Sequence, residues 1–262
     1  MIFAALITEL MLDTLRSEEK KMKILVPTDF SGSGVNAAAL AIKLFQKKTD
    51  AIILENVFQT PKENRGTLIS IHDIIANDSK ALLEKERRHL KAEYKDVNIS
   101  IRSEEGNLVD TIKRAVKKNK INLLVVGVSK HGSKNGLVPK TFIEQPEFWP
   151  MLTVPLKPLP SGSKELILIV TEGALVKNKK GIADYLQNIN MYDTKTHNLE
   201  FTTKDKVEKL KADIRTLLEK HKIGLIIFNT SKGDRLQKAL IAHQMDSVLF
   251  SIPSLLINEE LK

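Results

Sequence analysis

The six histidines, His72, His89, His131, His197, His221 and His243, include no two that stand three or four residues apart, so no helix face offers a pair of imidazoles to a metal ion. The absence of cysteine removes thiolate metal sites, thiol nucleophiles, redox sensing and disulfides together. No Gly-x-Ser-x-Gly turn follows a strand, so hydrolase chemistry has no signature and neither a catalytic residue nor a metal ligand is assigned. The residues left for chemistry suit binding. Pro27-Thr28-Asp29 ends an apolar run, and Gly127, Val128, Gly132 and Gly136 open a loop that also holds Lys130, Lys134, Lys140 and Thr141. Gly32-Ser33-Gly34-Val35-Asn36-Ala37 satisfies G-x-G-x-x-A, and Glu55 ends the next apolar run, where a dinucleotide fold keeps its ribose-binding acid. In such a fold the first glycine sits directly after the strand, whereas here Pro27 to Ser31 intervene. Small residues there also allow a helix to start close against a sheet.

These residues must be carried by the elements around them. Met22–Pro27 reads as a buried strand, residues 31–48 as a helix opened by Ser31 or Ser33, and residues 51–57 as a second strand. That is a βαβ unit, with parallel pairing and a right-handed crossover. Residues 71–94 form a long amphipathic pattern with Ile71, Ile75, Leu82, Leu83, Leu90 and Tyr94 on its apolar side. A third strand over 97–102, a helix over 108–118, a fourth strand over 121–127, a short helix before Gln145 and a fifth strand over 152–156 complete the series. Pro158-Leu159-Pro160-Ser161-Gly162-Ser163 is the best linker in the chain.

The remainder repeats this pattern in part. Residues 165–172 match 22–29 in type, Ile223 to Lys232 lies over Ile121 to Lys130, and Leu249 to Pro253 lies over Leu152 to Pro155. The interval between the matched strands is shorter in the second copy, by about one βα unit. The length of 262 residues agrees with two domains, and aromatic residues at 5% call for aliphatic cores of the α/β kind.

Ile24-Leu25-Val26-Pro27-Thr28-Asp29-Phe30-Ser31, the alanine-rich helix after it, Glu55-Asn56-Val57, Gly106-Asn107-Leu108 and Leu123-Leu124-Val125-Val126-Gly127 resemble the universal stress protein family. The resemblance covers Met22 to Leu156 and extends faintly over Glu165 to Ile257. It implies an α/β fold of two tandem doubly wound parallel-sheet domains, strand order 3-2-1-4-5, the second reduced. The divisions are an N-terminal extension at 1–21, a first domain at 22–158, a linker at 159–163 and a degenerate domain at 164–262. Carried over from nucleotide-binding members, the adenine contact falls on Asp29 with Pro27 and Thr28, a backbone contact on Val57, and the ribose and phosphate loop on Gly127, Val128, Gly132, Gly136 and Thr141. ATP or another adenine nucleotide is the implied cofactor. The family's glycine loop runs Gly, two residues, Gly, nine residues, then Gly with Ser or Thr. This chain departs from that spacing and has Lys140 in place of the last glycine.

The leading expectation is therefore a cytoplasmic stress-response protein acting as a regulatory or binding module, not an enzyme, with nucleotide binding weak or lost. One alternative is an ATP-binding protein with slow hydrolysis. Another is nucleic-acid association through Lys113 to Lys140, a stretch of eight Lys/Arg with no acidic residue in a chain of net charge +9. It is the weakest, because no aromatics interleave the charges for stacking. No apolar run approaches the ~20 residues of a membrane span. Met1 to Leu15 holds Glu9 and Asp13 and has no basic start, so it does not read as a signal peptide, and Met1 to Lys21 is expected to belong to neither core. An intramolecular pseudo-dimer that brings together Leu152 to Leu156 and Val248 to Ile252, the last strand of each half, is expected, with a homodimer of the whole chain possible in addition.

Overall fold

Runs of Ile, Leu and Val in this chain are apolar on both sides of the strand, as parallel strands covered by helices must be. β1 (Met22–Pro27) turns Ile24 and Val26 to one face and Leu25 to the other, all fully buried. The computed structural model describes residues 21–45, 48–61, 71–128, 138–148, 150–156, 166–172, 189, 196–202, 206–231, 234–242, 244–249 and 252–258. The extension up to residue 20, the linker at 159–163 and the glycines at 132 and 136 lie outside them.

After β1 come α1 (Ser33–Phe45), β2 (Thr49–Phe58), α2 (Ile71–Glu93), β3 (Ile99–Glu105), α3 (Leu108–Asn119), β4 (Leu123–Val128), α4 (Val138–Ile143), a 3₁₀ turn at Pro146–Phe148 and β5 (Met151–Pro155). Their strand order is 3-2-1-4-5, all parallel. The second half adds β6 (Leu166–Glu172), β7 (Thr196–Phe201), α5 (Val207–Lys220), β8 (Ile223–Thr230), α6 (Arg235–Ile241), α7 (Asp246–Leu249) and β9 (Ser254–Asn258). Here β6 lies between β7 and β8, and β8 pairs with β9, again in parallel. Among the described strands the order is that of β2-β1-β4-β5, with none in the position of β3.

The two halves meet through β5 and β9, paired antiparallel with Met151 opposite Leu256, Leu152 opposite Leu255 and Thr153 opposite Ser254. The described strands thus form one nine-stranded sheet. One face is covered by α1 and α2, the other by α3 to α7, and each apolar layer runs across both halves. Alanines 37, 38 and 41 bring α1 close to the sheet.

Two expectations are corrected. The last strand is Ser254–Asn258, and residues 246–249, expected to enter that strand at Val248 or Leu249, form α7. Leu249 and Val248 are buried there as the inner side of a helix, so burial alone mimicked a strand. On α2 the inward stripe is Ser79, Leu83 and Leu90, while Leu82, expected inside, is 42% exposed. Adjacent leucines cannot both lie at the centre of one helical stripe.

Candidate functional site

The carboxyl ends of β1 and β4 lie side by side with their connections leaving in opposite directions, α1 to one side and α4 to the other. Such a switch point is where open α/β sheets bind ligands. Pro27 is buried at the end of β1 and Thr28 follows it, also buried, while Asp29 is half-exposed. Thr28 is held from all sides. Its N–H donates to the Glu55 carbonyl at 2.9 Å, and its carbonyl accepts from Asn56 Nδ2 at 2.8 Å. Its hydroxyl donates to Glu86 Oε1 at 3.2 Å and accepts from the Phe30 N–H at 3.1 Å. Phe30 has φ 63°, a left-handed conformation uncommon for a bulky residue and stabilised here by that bond. Asp29 Oδ1 accepts from the Ser31 N–H at 3.0 Å, which turns the chain into α1.

A polar relay lies under this turn. Ser79 Oγ on α2 donates to Asn56 Oδ1 at 2.9 Å and contacts Ser103 Oγ on β3 at 2.7 Å. Glu86, about two helical turns further along α2, has its second oxygen buried without a hydrogen bond. Burial, the largest influence, raises the Glu86 pKa; the Thr28 hydroxyl opposes the rise and the Asp29 charge adds to it. Sequence reasoning missed Glu86, Ser79 and Ser103. The available signal was the 79-83-86-90 spacing, which places two polar residues on the inward stripe of an amphipathic helix.

Gly127 does not face open space. A Cβ there would lie 2.5 Å from the Ser33 carbonyl oxygen, and a Cβ on Gly34 would lie 2.6 Å from Thr28 Oγ1. Both glycines are needed for the start of α1 to sit against the ends of β4 and β1. The same helix start is tied to β5, because Asn36 Nδ2 donates to the Pro155 carbonyl at 2.9 Å. Val57 packs its side chain on the α3 side of the sheet. Val128 is buried, and its carbonyl accepts from the Leu156 N–H at 3.0 Å. Thr141 is half-buried on α4. The structure therefore brings Pro27, Thr28, Asp29, Gly127 and Val128 to one sheet end, while Gly132 and Gly136 fall outside the described residues.

Glu55 is not a ribose-binding acid. It is fully buried beside Arg102, its cross-strand neighbour, with 4.0 Å between Arg102 Nε and Glu55 Oε1, and neither carboxyl oxygen has a hydrogen bond. Burial pushes its pKa from 4.5 up to about 7, against the pull of the Arg102 and Arg114 charges and with a push from Glu104. The basic stretch is also divided. Lys113 pairs with Glu147 at 2.6 Å, Arg114 donates to Thr111 Oγ1 at 3.0 Å, and Lys117 and Lys118 lie in the last turn of α3, where they complement its dipole.

In the second half Glu172 ends β6 as Asp29 follows β1, but its Oε2 accepts from the Leu236 N–H at 2.8 Å and so serves the first turn of α6. Among the described residues no His/Cys/Asp/Glu group is arranged to hold a metal ion, and no helix is long and apolar enough to cross a membrane.

Comparison with known proteins places this geometry. The model of the universal stress protein family matches residues 21–139. Among solved structures, a universal stress protein from Archaeoglobus fulgidus DSM 4304 is similar over 92% of this chain and 97% of its own, with 11% identity and a TM-score of 0.56. A candidate universal stress protein from Pseudomonas aeruginosa UCBPP-PA14 covers 92% of this chain and 94% of its own, with 16% identity and a TM-score of 0.51. A universal stress protein crystallised in complex with cAMP covers 53% of this chain and 99% of its own, with 18% identity and a TM-score of 0.39. No curated protein matches the chain. The order 3-2-1-4-5, the strand-end Pro27-Thr28-Asp29 and the match over residues 21–139 agree: those residues form a domain of the universal stress protein family.

Proposed function

We propose that the chain is a cytoplasmic stress-response module that acts by binding or regulation rather than catalysis, with an adenine nucleotide bound weakly or not at all at the β1/β4 switch point. The observation that carries this reading is the internal use of the motif. The space at Gly127 is taken by Ser33, the Thr28 hydroxyl is engaged by Glu86 and Phe30, and one oxygen of Asp29 is engaged by Ser31. We extend the proposal to the domain plan: residues 164–262 act as a degenerate stress-protein domain that covers the β5 edge of residues 22–158, an intramolecular counterpart of a dimer. Association with nucleic acid is not part of it, since Lys113 and Arg114 have partners of their own.

Calorimetric titration with ATP tests the ligand claim. Loss of two charge-assisted phosphate contacts of ~1.5–3 kcal/mol each weakens binding by more than about a hundredfold. Any residual affinity then rests on lysines and falls steeply with salt. Submicromolar, salt-insensitive binding that Asp29→Ala abolishes would make the first domain a working ATP site instead. Light scattering decides whether two whole chains associate further.

A further inference from the structure

A second concave surface lies away from the switch point, between α5 and α6 on the outer side of the second half. It is a groove of about 590 Å³ lined by Lys206, Lys211, Arg235 and Lys238, with Ala239 and Ala242 as apolar wall. That volume lies within the roughly 300–1,000 Å³ range of small-ligand pockets. Glu208 also lines it and pairs with Lys211 at 2.5 Å, so among the described lining residues cations outnumber carboxylates by four to one.

Several local features hold these cations in place. The Lys211 side chain is largely buried in the groove wall. The Arg235 guanidinium lies 5.4 Å from the centre of the Phe201 ring, a cation–π contact that fixes its plane. Glu172 at the end of β6 anchors the first turn of α6, which carries Arg235 and Lys238, through the Leu236 N–H. Lys206 stands at the N-cap of α5, so the positive end of a fourteen-residue helix lies beside the lysines. Lining cations, a positioned guanidinium and a helix dipole all favour negative charge in one concavity.

We propose that this groove binds a small phosphorylated ligand, with its phosphate groups among Lys206, Lys211, Arg235 and Lys238 and its less polar part on Ala239 and Ala242. Lysine supplies point charges and arginine a planar fork, the combination suited to phosphate oxygens. The groove is separate from the β1/β4 switch point, so it stands or falls independently of the function proposed above.

The test is calorimetric titration of the full-length chain with inorganic triphosphate, at low salt and again at high salt. The groove variant is Lys206→Glu with Lys238→Glu. The control is Lys117→Glu with Lys118→Glu on α3, which changes net charge by the same amount at two exposed positions. Saturable binding of one triphosphate per chain is expected, weakened at least tenfold in the groove variant and less than twofold in the control, and unchanged by Asp29→Ala. Equal weakening in groove variant and control would reduce the effect to general charge attraction and overturn the site. Absence of saturable binding at low salt would overturn it as well, and loss of binding in Asp29→Ala would move the ligand to the switch point.

Discussion

Glu55 carries a carboxyl that is out of water, 4.0 Å from the nearest arginine nitrogen and without a hydrogen bond on either oxygen. Its charged form is therefore disfavoured in the fold, with the pKa near 7 instead of 4.5. Below about pH 4.5 the group is protonated in folded and unfolded chains alike and has no effect on their balance. As pH rises from there toward 7, the folded protein holds a proton that the unfolded chain has released, so stability falls across that window and stays lowered above it. Urea unfolding between about pH 5 and pH 8 should show this decline in the wild type and a flatter profile in Glu55→Gln, which should be more stable at the alkaline end by roughly 1–3 kcal/mol. An unchanged slope in the variant would mean that Glu55 stays ionised. Gly127→Ala is a second expectation at this scale. The new methyl group would meet the Ser33 backbone, so a loss of roughly 1–3 kcal/mol should appear as a lower urea midpoint. The type and place of both residues were legible in the sequence: Glu55 at the end of a strand, Gly127 at the end of another. Their use was not, because a strand-end acid and a strand-end glycine serve a ligand or a packing contact with the same local pattern, and only the neighbour across space separates the two.

At the scale of elements, hydrophobic periodicity located β1 to β5 and their helices, because β1, β2, β4 and β5 are largely buried on both faces, β3 alternates apolar and polar residues at its start, and each helix is buried on one side. It was weaker at registers and ends. On α2 both Leu82 and Leu83 fit an apolar side, yet Leu83 is fully buried and Leu82 is not. Leu83→Ala should cost about 2–5 kcal/mol of stability, and Leu82→Ala should stay within about 0.5 kcal/mol, as read from chemical denaturation. Comparable losses in the two variants would show the helix turned differently on the sheet. The inward polar residues Ser79 and Glu86 explain why the stripe is hard to read. They interrupt the apolar pattern in order to satisfy Asn56, Ser103 and Thr28, contacts made across 23, 24 and 58 positions of sequence. The end of the chain shows the converse: α7 was hidden by its apolar residues, and β9 begins beyond Pro253.

At the scale of the whole molecule, the antiparallel contact of β5 with β9 decides whether the two halves are independent. Each strand alone would be a sheet edge with unpaired backbone groups and apolar residues above and below it. Paired, they bury Leu152 and Leu255 in the layer under α1 and α2, and Met151 and Leu256 in the layer under α3 to α7. Thr153 and Ser254, both fully buried, meet at the seam, where the Thr153 hydroxyl donates to the Ser254 carbonyl at 3.2 Å. Helix α7 packs on β5 from the other half of the chain, adding a contact outside the ladder. With both apolar layers continuous across the seam, covalent linkage is not what holds the halves together. A protease site placed in the 159–163 linker should therefore give, after cleavage under native conditions, two fragments that still elute as one particle of unchanged size on gel filtration. Leu152→Asp with Leu255→Asp puts two carboxylates without counter-charges into the seam and should let the cleaved fragments part. Separation of the wild-type fragments after cleavage would show instead that the linker, and not the shared sheet, keeps the halves in register.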